Sequence, residues 1–356
     1  MNLDRSRILV VKPSSLGDVV HTLPVVHAIK RHHPSCHIGW IVQKSFAAVL
    51  EADPAVDEII PISIPSTSDP LAARGTMLRA LAATLATLRQ LRKRFRDKPF
   101  DLVLDLHASF RSGLLGSVNP GGVRIGFSDA KELNTLFQDH TIAPDPEKPH
   151  AVDKNLLFAH HLECPLSESD FRVIVGAEAK ERVHSFLSAE GSDANGMLVY
   201  ANPAAKWTTK QWTVERWAAL GDLLATGAGA TVIFGGGPDD LPHILAITER
   251  MSSKALVSAG KLQLSDSVAL LEMSRLYVGV DSGPMHIAAF LGIPIVALFG
   301  PTDPVKVGPY GAGHSILRAN GLDCLACRKR SCSDRRCMEQ ISAQRVYDEC
   351  MKLILG

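Results

Sequence analysis

Short apolar runs that end in polar, glycine-bearing turns recur along this chain at the spacing of strands in a buried parallel sheet. In the first half they cover residues 8–11, 37–42, 58–62 and 101–106. In the second half they cover residues 197–201, 231–234, 276–280 and 295–299. Between them apolar positions return every three or four residues, which predicts helices: one begins at the first turn and runs from 19 to 29, and others follow residues 214, 240 and 283. Strand alternating with helix implies parallel, doubly wound sheets. The pattern breaks after a proline-rich loop at 143–149 and restarts before residue 197, so two domains are expected, at 1–175 and 176–356. A terminal helix at 343–355 is able to pack on either one.

The densest stretch is VGVDSGPMHIAAFLGIPIVALFGPTDP at 278–304, read as strand, turn, helix, strand and second turn. Asp281 closes the first strand, Ser282 and Gly283 make the turn, and Pro284 sits where its missing N–H costs nothing. Gly283 permits close approach of a phosphate, and the helix start and His286 can face a diphosphate. The plainer reading is an ordinary strand-helix turn with a capping Asp and a core His. Two further turns fall at the same predicted sheet edge: residues 202–207, with Lys206 and then Lys210, and GGGPDD, with Asp239. Cations for phosphate charge, amides for its oxygens and a carboxylate for a ribose diol make a nucleotide-diphosphate pocket.

The corresponding turn of the first half, Ser14-Ser15-Leu16-Gly17-Asp18, is neither a Walker loop nor GxGxxG. A helix start favours ionised Asp18, which suits a general base. It equally suits a helix cap worth about 1 kcal/mol, and the residue can do both. With Ser15, Gly17 and His21 around it and Arg111 in the polar turn after the fourth strand, this edge is the candidate acceptor side. A cleft between the two open edges is expected, with donor on one side and acceptor on the other.

The helix at 78–98 has apolar residues at 78, 81, 82, 85, 88, 91 and 95, and a basic run from Arg89 to Lys98. It reads as a sheet-covering helix with a solvated basic face, and secondarily as a helix lying on an anionic membrane surface. A net charge of +1 argues against a nucleic-acid binder. The chain enters its first strand with no signal-peptide pattern, and no apolar run approaches the ~20 residues that span a bilayer, so a soluble cytosolic protein is expected. Seven cysteines, an odd number, fit a reducing compartment. Four of them, Cys324, Cys327, Cys332 and Cys337, have a spacing that could hold zinc or an iron-sulfur cluster. Only the first pair is finger-like, so buried thiols or a facultative disulfide are the leading reading.

In order and spacing, KPSSLGDVVHTLP, KWTTKQW, GGGPDD, DSGPMHIAAFLGIP and FGPTDP resemble the bacterial lipopolysaccharide heptosyltransferases of glycosyltransferase family 9. FDLVLDLHASFRSG, RIGF and HAVDKNL look more like heptosyltransferase I than II. The resemblance implies the α/β fold called GT-B: two Rossmann-like doubly wound parallel-sheet domains facing a central cleft. The N-terminal one would bind the acceptor and the C-terminal one the nucleotide sugar. It implies a metal-independent, inverting transfer of L-glycero-D-manno-heptose from an ADP-sugar, with no cofactor, to the Kdo or heptose of the inner core on lipid A. This would take place at the cytoplasmic face of the inner membrane. By position, Asp18 resembles the general base and Lys210 the lysine on the donor phosphates. Asp239 resembles the acid on the ribose, and Asp281, Ser282, Gly283 and His286 the diphosphate segment; Thr302, in FGPTDP, and Lys206 join the donor set. The rivals are a family 9 transferase for another nucleotide sugar, a GT-B-like nucleotide-sugar epimerase and a catalytically silent nucleotide-binding partner.

Overall fold

The computed structural model describes residues 3–65 and 76–355. They divide into two compact units, residues 1–172 and 173–356.

The first unit is built on strands β1 (Arg7–Val11), β2 (His37–Gln43), β3 (Glu58–Ile62), β4 (Leu102–Asp105), β5 (Val123–Phe127) and β6 (His140–Ile142). All pair parallel, in the order 3-2-1-4-5-6. Helices α1 (Leu16–Val20), α2 (Leu23–His32), α3 (Thr76–Asp97), α4 (Phe110–Ser117) and α5 (Ala151–His161) cover it. The second unit repeats the plan with β7 (Leu198–Asn202), β8 (Thr231–Phe234), β9 (Leu256–Val257), β10 (Leu276–Val280), β11 (Ile295–Leu298) and β12 (His314–Leu317). Its order, β12-β11-β10-β7-β8-β9, is the same winding counted from β7. Its helices are α6 (Ala177–Ala189), α7 (Val214–Gly227), α8 (Leu241–Thr248), α9 (Leu264–Glu272), α10 (Gly283–Phe290), α11 (Pro304–Val307), α12 (Arg336–Glu339) and α13 (Ala343–Leu355). Central strands β4 and β10 are buried along their length, as an unbroken apolar run between two helical layers requires. The terminal helix packs on the second unit, where Val346, Cys350 and Ile354 join Trp217, Leu220 and Leu224 in one core.

Three details depart from the sequence reading. The single helix expected after the first turn is two helices. Pro24 lacks the N–H that would bond to the Val20 carbonyl, and Thr22 turns its hydroxyl onto the Asp18 carbonyl at 2.9 Å. The short strands β5, β6, β9 and β12 extend both sheets beyond the expected runs. The third difference is in α3, which buries Ala80, Thr84, Thr87, Leu91 and Phe95. Leu78, Leu81 and Leu85, expected to face the sheet, are instead 73%, 56% and 47% exposed. Small side chains, Ala80, Thr84 and Thr87, line the inward face over the first part of the helix, and Leu91 and Phe95, two of the residues expected to face the sheet, join its core further on. Among the described residues no helix is long and apolar enough to cross a membrane.

Candidate active site

In a sheet of this order the first and fourth strands are neighbours whose connections leave in opposite directions, and ligands bind at their carboxyl ends. The two places to examine are therefore the ends of β1 and β4 and, separately, those of β7 and β10.

At the first, Lys12 follows β1 directly. Its buried Nζ donates to the Leu106 carbonyl at 2.6 Å, joining the two strand ends, and lies 3.9 Å from Asp18 Oδ1. Asp18 is the third residue of α1, and its Oδ2 accepts from the Ser15 N–H at 2.8 Å and the Ser15 hydroxyl at 2.7 Å. Ser15 is thus the N-cap, and the capping role expected of Asp18 becomes the reciprocal half of a capping box. The Lys12 side chain is 8% exposed and that of Asp18 43%, so the carboxylate is the presented partner. Desolvation pushes the Asp18 carboxyl up. The Lys12 ammonium, the His21 ring and the two Ser15 bonds outweigh it and hold the carboxyl well below the usual carboxylate range. Burial pushes Lys12 the other way, down, against the fields of Asp18 and Asp105.

Gly17 and His21 are buried in this turn, and His21 meets His150 edge to face at 5.8 Å. Arg111 is half-buried in the first turn of α4, past the end of β4. The turn between them is held by Asp105, which accepts from the His107 and Ala108 amides at 3.0 and 3.1 Å, from Ser112 at 2.9 Å and from Asn134 at 2.7 Å. His107 is in the field of Lys12, Asp18 and Asp105, and burial lowers its pKa. Lys12 and Asp105 escape a reading of the sequence, and His107 is legible only as part of the polar turn after the fourth strand. Lys12 looks like the start of a loop, and nothing local reveals that β1 and β4 are neighbours.

At the second place, Lys210 Nζ meets Asp281 Oδ2 at 2.7 Å, with side chains 16% and 6% exposed. Here the cation is the presented partner. The Lys210 ammonium also lies 4.7 Å from the centroid of the Trp207 ring. Asn202, the last residue of β7, donates from Nδ2 to Ser282 Oγ at 2.8 Å and to the Ala204 carbonyl at 3.0 Å. The Ser282 hydroxyl donates to the Val280 carbonyl at 3.2 Å and makes no bond to the helix it precedes. An N-cap serine normally satisfies an opening amide of its helix; here the Met285 amide turns to the Ser282 carbonyl at 3.2 Å and Pro284 has none, so of the first three positions Gly283 is the one whose amide can meet an anion. The floor is tight: a Cβ on Gly235 or on Gly279 would overlap the hydroxyl of Tyr200 or Tyr277, two rings stacked 6.1 Å apart.

His286 is buried in the first turn of α10. Thr302 is buried after β11, and its Oγ1 has no hydrogen-bond partner among the described residues. Lys206 and Asp239 are exposed on their turns, and the neighbouring Asp240 takes the Gly237 amide at 2.8 Å. Asn202 and Trp207, unassigned from sequence, join the set. All seven cysteines are free, and no group of three or more His, Cys, Asp or Glu side chains among the described residues is placed to hold a metal ion.

Two Rossmann-like units, each with a polar cluster at the carboxyl ends of its first and fourth strands, make up a fold of the GT-B class. Within that class the chain belongs to glycosyltransferase family 9 (heptosyltransferase), whose family model matches residues 88–337, and it is a glycosyltransferase. Lipopolysaccharide heptosyltransferase 1 of Pseudomonas aeruginosa is 28% identical, with 98% of each chain covered. The protein of that name from Escherichia coli K12 is also 28% identical, over 88% of this chain and 93% of that one. Among solved structures, the family 9 glycosyl transferase of Veillonella parvula superposes with a TM-score of 0.85 at 26% identity, covering 100% of this chain and 99% of that one. The E. coli heptosyltransferase WaaC with ADP gives 0.73 at 26%, covering 98% and 99%. The epimerase alternative is not favoured: a putative UDP-N-acetylglucosamine 2-epimerase from Listeria monocytogenes, at 13% identity and a TM-score of 0.55, shares the fold alone.

Proposed function

We propose that this glycosyltransferase moves a heptose from ADP-heptose to the Kdo of a lipopolysaccharide inner core, as a heptosyltransferase I. The second unit would hold the nucleotide sugar and the first the acceptor. The observation that carries the reading is the opposite burial of two acid-lysine pairs: Asp18, at 43%, is the exposed partner of the first, and Lys210, at 16%, is the less covered partner of the second. The relatives named lipopolysaccharide heptosyltransferase 1 and the ADP held by WaaC support the choice of sugar and nucleotide.

In the reaction the acceptor hydroxyl oxygen forms a bond to C1 of the heptose as the bond from C1 to the ADP oxygen breaks, with inversion. The hydroxyl proton passes to Asp18, whose Oδ1 is the oxygen not engaged by Ser15. The bonding pair leaves with ADP, whose growing charge is met by Lys210, the Gly283 amide and His286. Lys206, Asp239, Ser282, Gly283 and Thr302 complete the donor set; Ser15, Gly17, His21 and Arg111 complete the acceptor set. A carboxyl held this low is a weak base at the outset. It suffices because the hydroxyl becomes acidic as its oxygen bonds to an oxocarbenium-like carbon. No metal or cofactor is required in this scheme.

The acceptor lies in a membrane, and α3 supplies a surface for one. Helical spacing puts exposed Leu78, Leu81 and Leu85 on one face with exposed Arg89, Arg92 and Arg96. Apolar insertion and attraction to anionic headgroups would then share one helix at the cytoplasmic face of the inner membrane. Co-sedimentation with phosphatidylglycerol vesicles should fall sharply in Leu81→Asp/Leu85→Asp. Equal binding would remove α3 from the surface.

The deciding experiment is an ADP-release assay with ADP-L-glycero-D-manno-heptose, run with and without EDTA, and either Kdo2-lipid A or its heptosylated product as acceptor. Turnover with Kdo2-lipid A alone supports the proposal. Turnover only without EDTA would refute metal independence, and ADP binding without turnover on either acceptor would refute the donor sugar.

A further inference from the structure

Two tyrosines lie side by side in the second sheet, just short of the donor cluster. Tyr200 in β7 and Tyr277 in β10 are partners in register, both buried, with rings stacked 6.1 Å apart and 16° from parallel. Each ring runs toward the carboxyl edge of the sheet over a glycine, Gly235 under Tyr200 and Gly279 under Tyr277, where a Cβ would overlap the hydroxyl. There the two hydroxyls part. That of Tyr200 faces Ser267, on α9. That of Tyr277 faces Ser282 and Asn202, the residue opposite Gly279 in register. Burial pushes both phenols up, so each keeps its proton to give.

Yet the Tyr277 hydroxyl makes no hydrogen bond among the described residues; Thr302 Oγ1, on the turn after β11, is likewise unpartnered. A buried donor left unspent is destabilising, so it calls for an acceptor. Ser282 is placed to become one. A serine oxygen has one proton to give and two lone pairs to offer. Here the proton goes to the Val280 carbonyl at a long 3.2 Å, and one lone pair takes Asn202 Nδ2 at 2.8 Å. The second lone pair is unused among the described residues.

We propose that Tyr277 is a positioning residue of the donor site, whose hydroxyl donates to Ser282 Oγ when Ser282 turns its proton from Val280 to the nucleotide diphosphate. With Asn202 on one lone pair and Tyr277 on the other, Ser282 meets the ligand only as a donor. Tyr200 has the same ring packing but sends its hydroxyl to α9, and has no such role. The inference rests on the donor reading above.

The test is calorimetric titration of the full chain with ADP, joined to thermal unfolding without it. Tyr277→Phe keeps the ring and deletes the unspent hydroxyl. ADP should bind about fivefold more weakly, the scale of one neutral hydrogen bond, while the thermal midpoint without ADP should hold or rise. Tyr200→Phe makes the same change in the stacked partner and should leave ADP affinity within twofold. In a Ser282→Ala background, Tyr277→Phe should change ADP affinity less than twofold, because the two hydroxyls act as a unit. ADP affinity in Tyr277→Phe within twofold of wild type overturns the inference, as does an equal loss in Tyr200→Phe or a loss that persists undiminished beside Ser282→Ala. A lowered thermal midpoint in Tyr277→Phe overturns it too, since the hydroxyl would then be spent in the core. Absence of ADP binding in the wild-type protein overturns the donor reading, and the inference falls with it.

Discussion

The two units share a strand order, and each places a lysine and an aspartate at its crossing of first and fourth strands, yet the pairs are built oppositely. In the first, the lysine is buried and the aspartate stands 43% exposed at 3.9 Å. In the second, the aspartate is buried and the lysine is the more exposed partner, at 2.7 Å. The same two residue types thus give a carboxylate offered to a hydroxyl in one unit and an ammonium offered to a phosphate in the other. What decides the chemistry is which partner the fold covers.

The comparison breaks most completely at the base. Asp18→Asn keeps the size and the Ser15 contacts but cannot take a proton; kcat should fall at least about a hundredfold while ADP affinity, measured by titration, stays as it was. Near-full activity would mean that Asp18 only caps its helix. Next, Lys210→Met removes the presented cation. ADP binding should weaken roughly tenfold or more, and because Asp281 is left buried without its partner, denaturant unfolding should show a loss of roughly 3 kcal/mol. A variant as stable and as tightly bound as wild type would strip the second pair of its meaning.

Lys12→Met sharpens the contrast. Wild-type Asp18 has its pKa depressed, so its ionised form, and the stability this contributes, is present at neutral pH and lost only in strong acid. Without the Lys12 charge the carboxyl pKa rises, and the acid limb of the kcat/KM profile should move up by about one pH unit or more; an unmoved limb would show that Lys12 does not set the base. The smallest effect is expected for Asn202→Ala. This frees the Ser282 hydroxyl to cap α10 in competition with the phosphate and should weaken ADP about two- to fivefold. Ser282→Ala in the same protein should abolish that difference.

Both strand-end turns were legible because each compresses strand, glycine and helix start into a few residues: SSLGD before α1 and DSGPMH before α10. The pair of doubly wound domains followed from the alternation and the restart of the pattern, and the GT-B assignment from the family resemblance. Lys12, Asp105 and Asn202 were not legible, since each works across neighbouring strands far apart in sequence. In α3 the periodicity showed apolar residues at helical spacing, and Leu91 and Phe95 do pack on the sheet, but Ala80, Thr84 and Thr87 form an equally regular continuation of that face and displace Leu78, Leu81 and Leu85 from it. The four cysteines drew attention to chemistry of their own, whereas all four are free.

The return of α13 to the second unit has a consequence for synthesis. Domains generally fold as units, amino-terminal first, while the chain is still being made. The first unit is complete by Asp170, whose carboxylate takes the guanidinium of Arg31 at 2.7 Å, so it can close while the rest is being translated. The second unit lacks Val346, Cys350 and Ile354 from its core until residues 343–355 have emerged. Its apolar surface therefore stays open for longer in the growing chain, and a premature stop before α13 would release a folded first unit joined to an unclosed second.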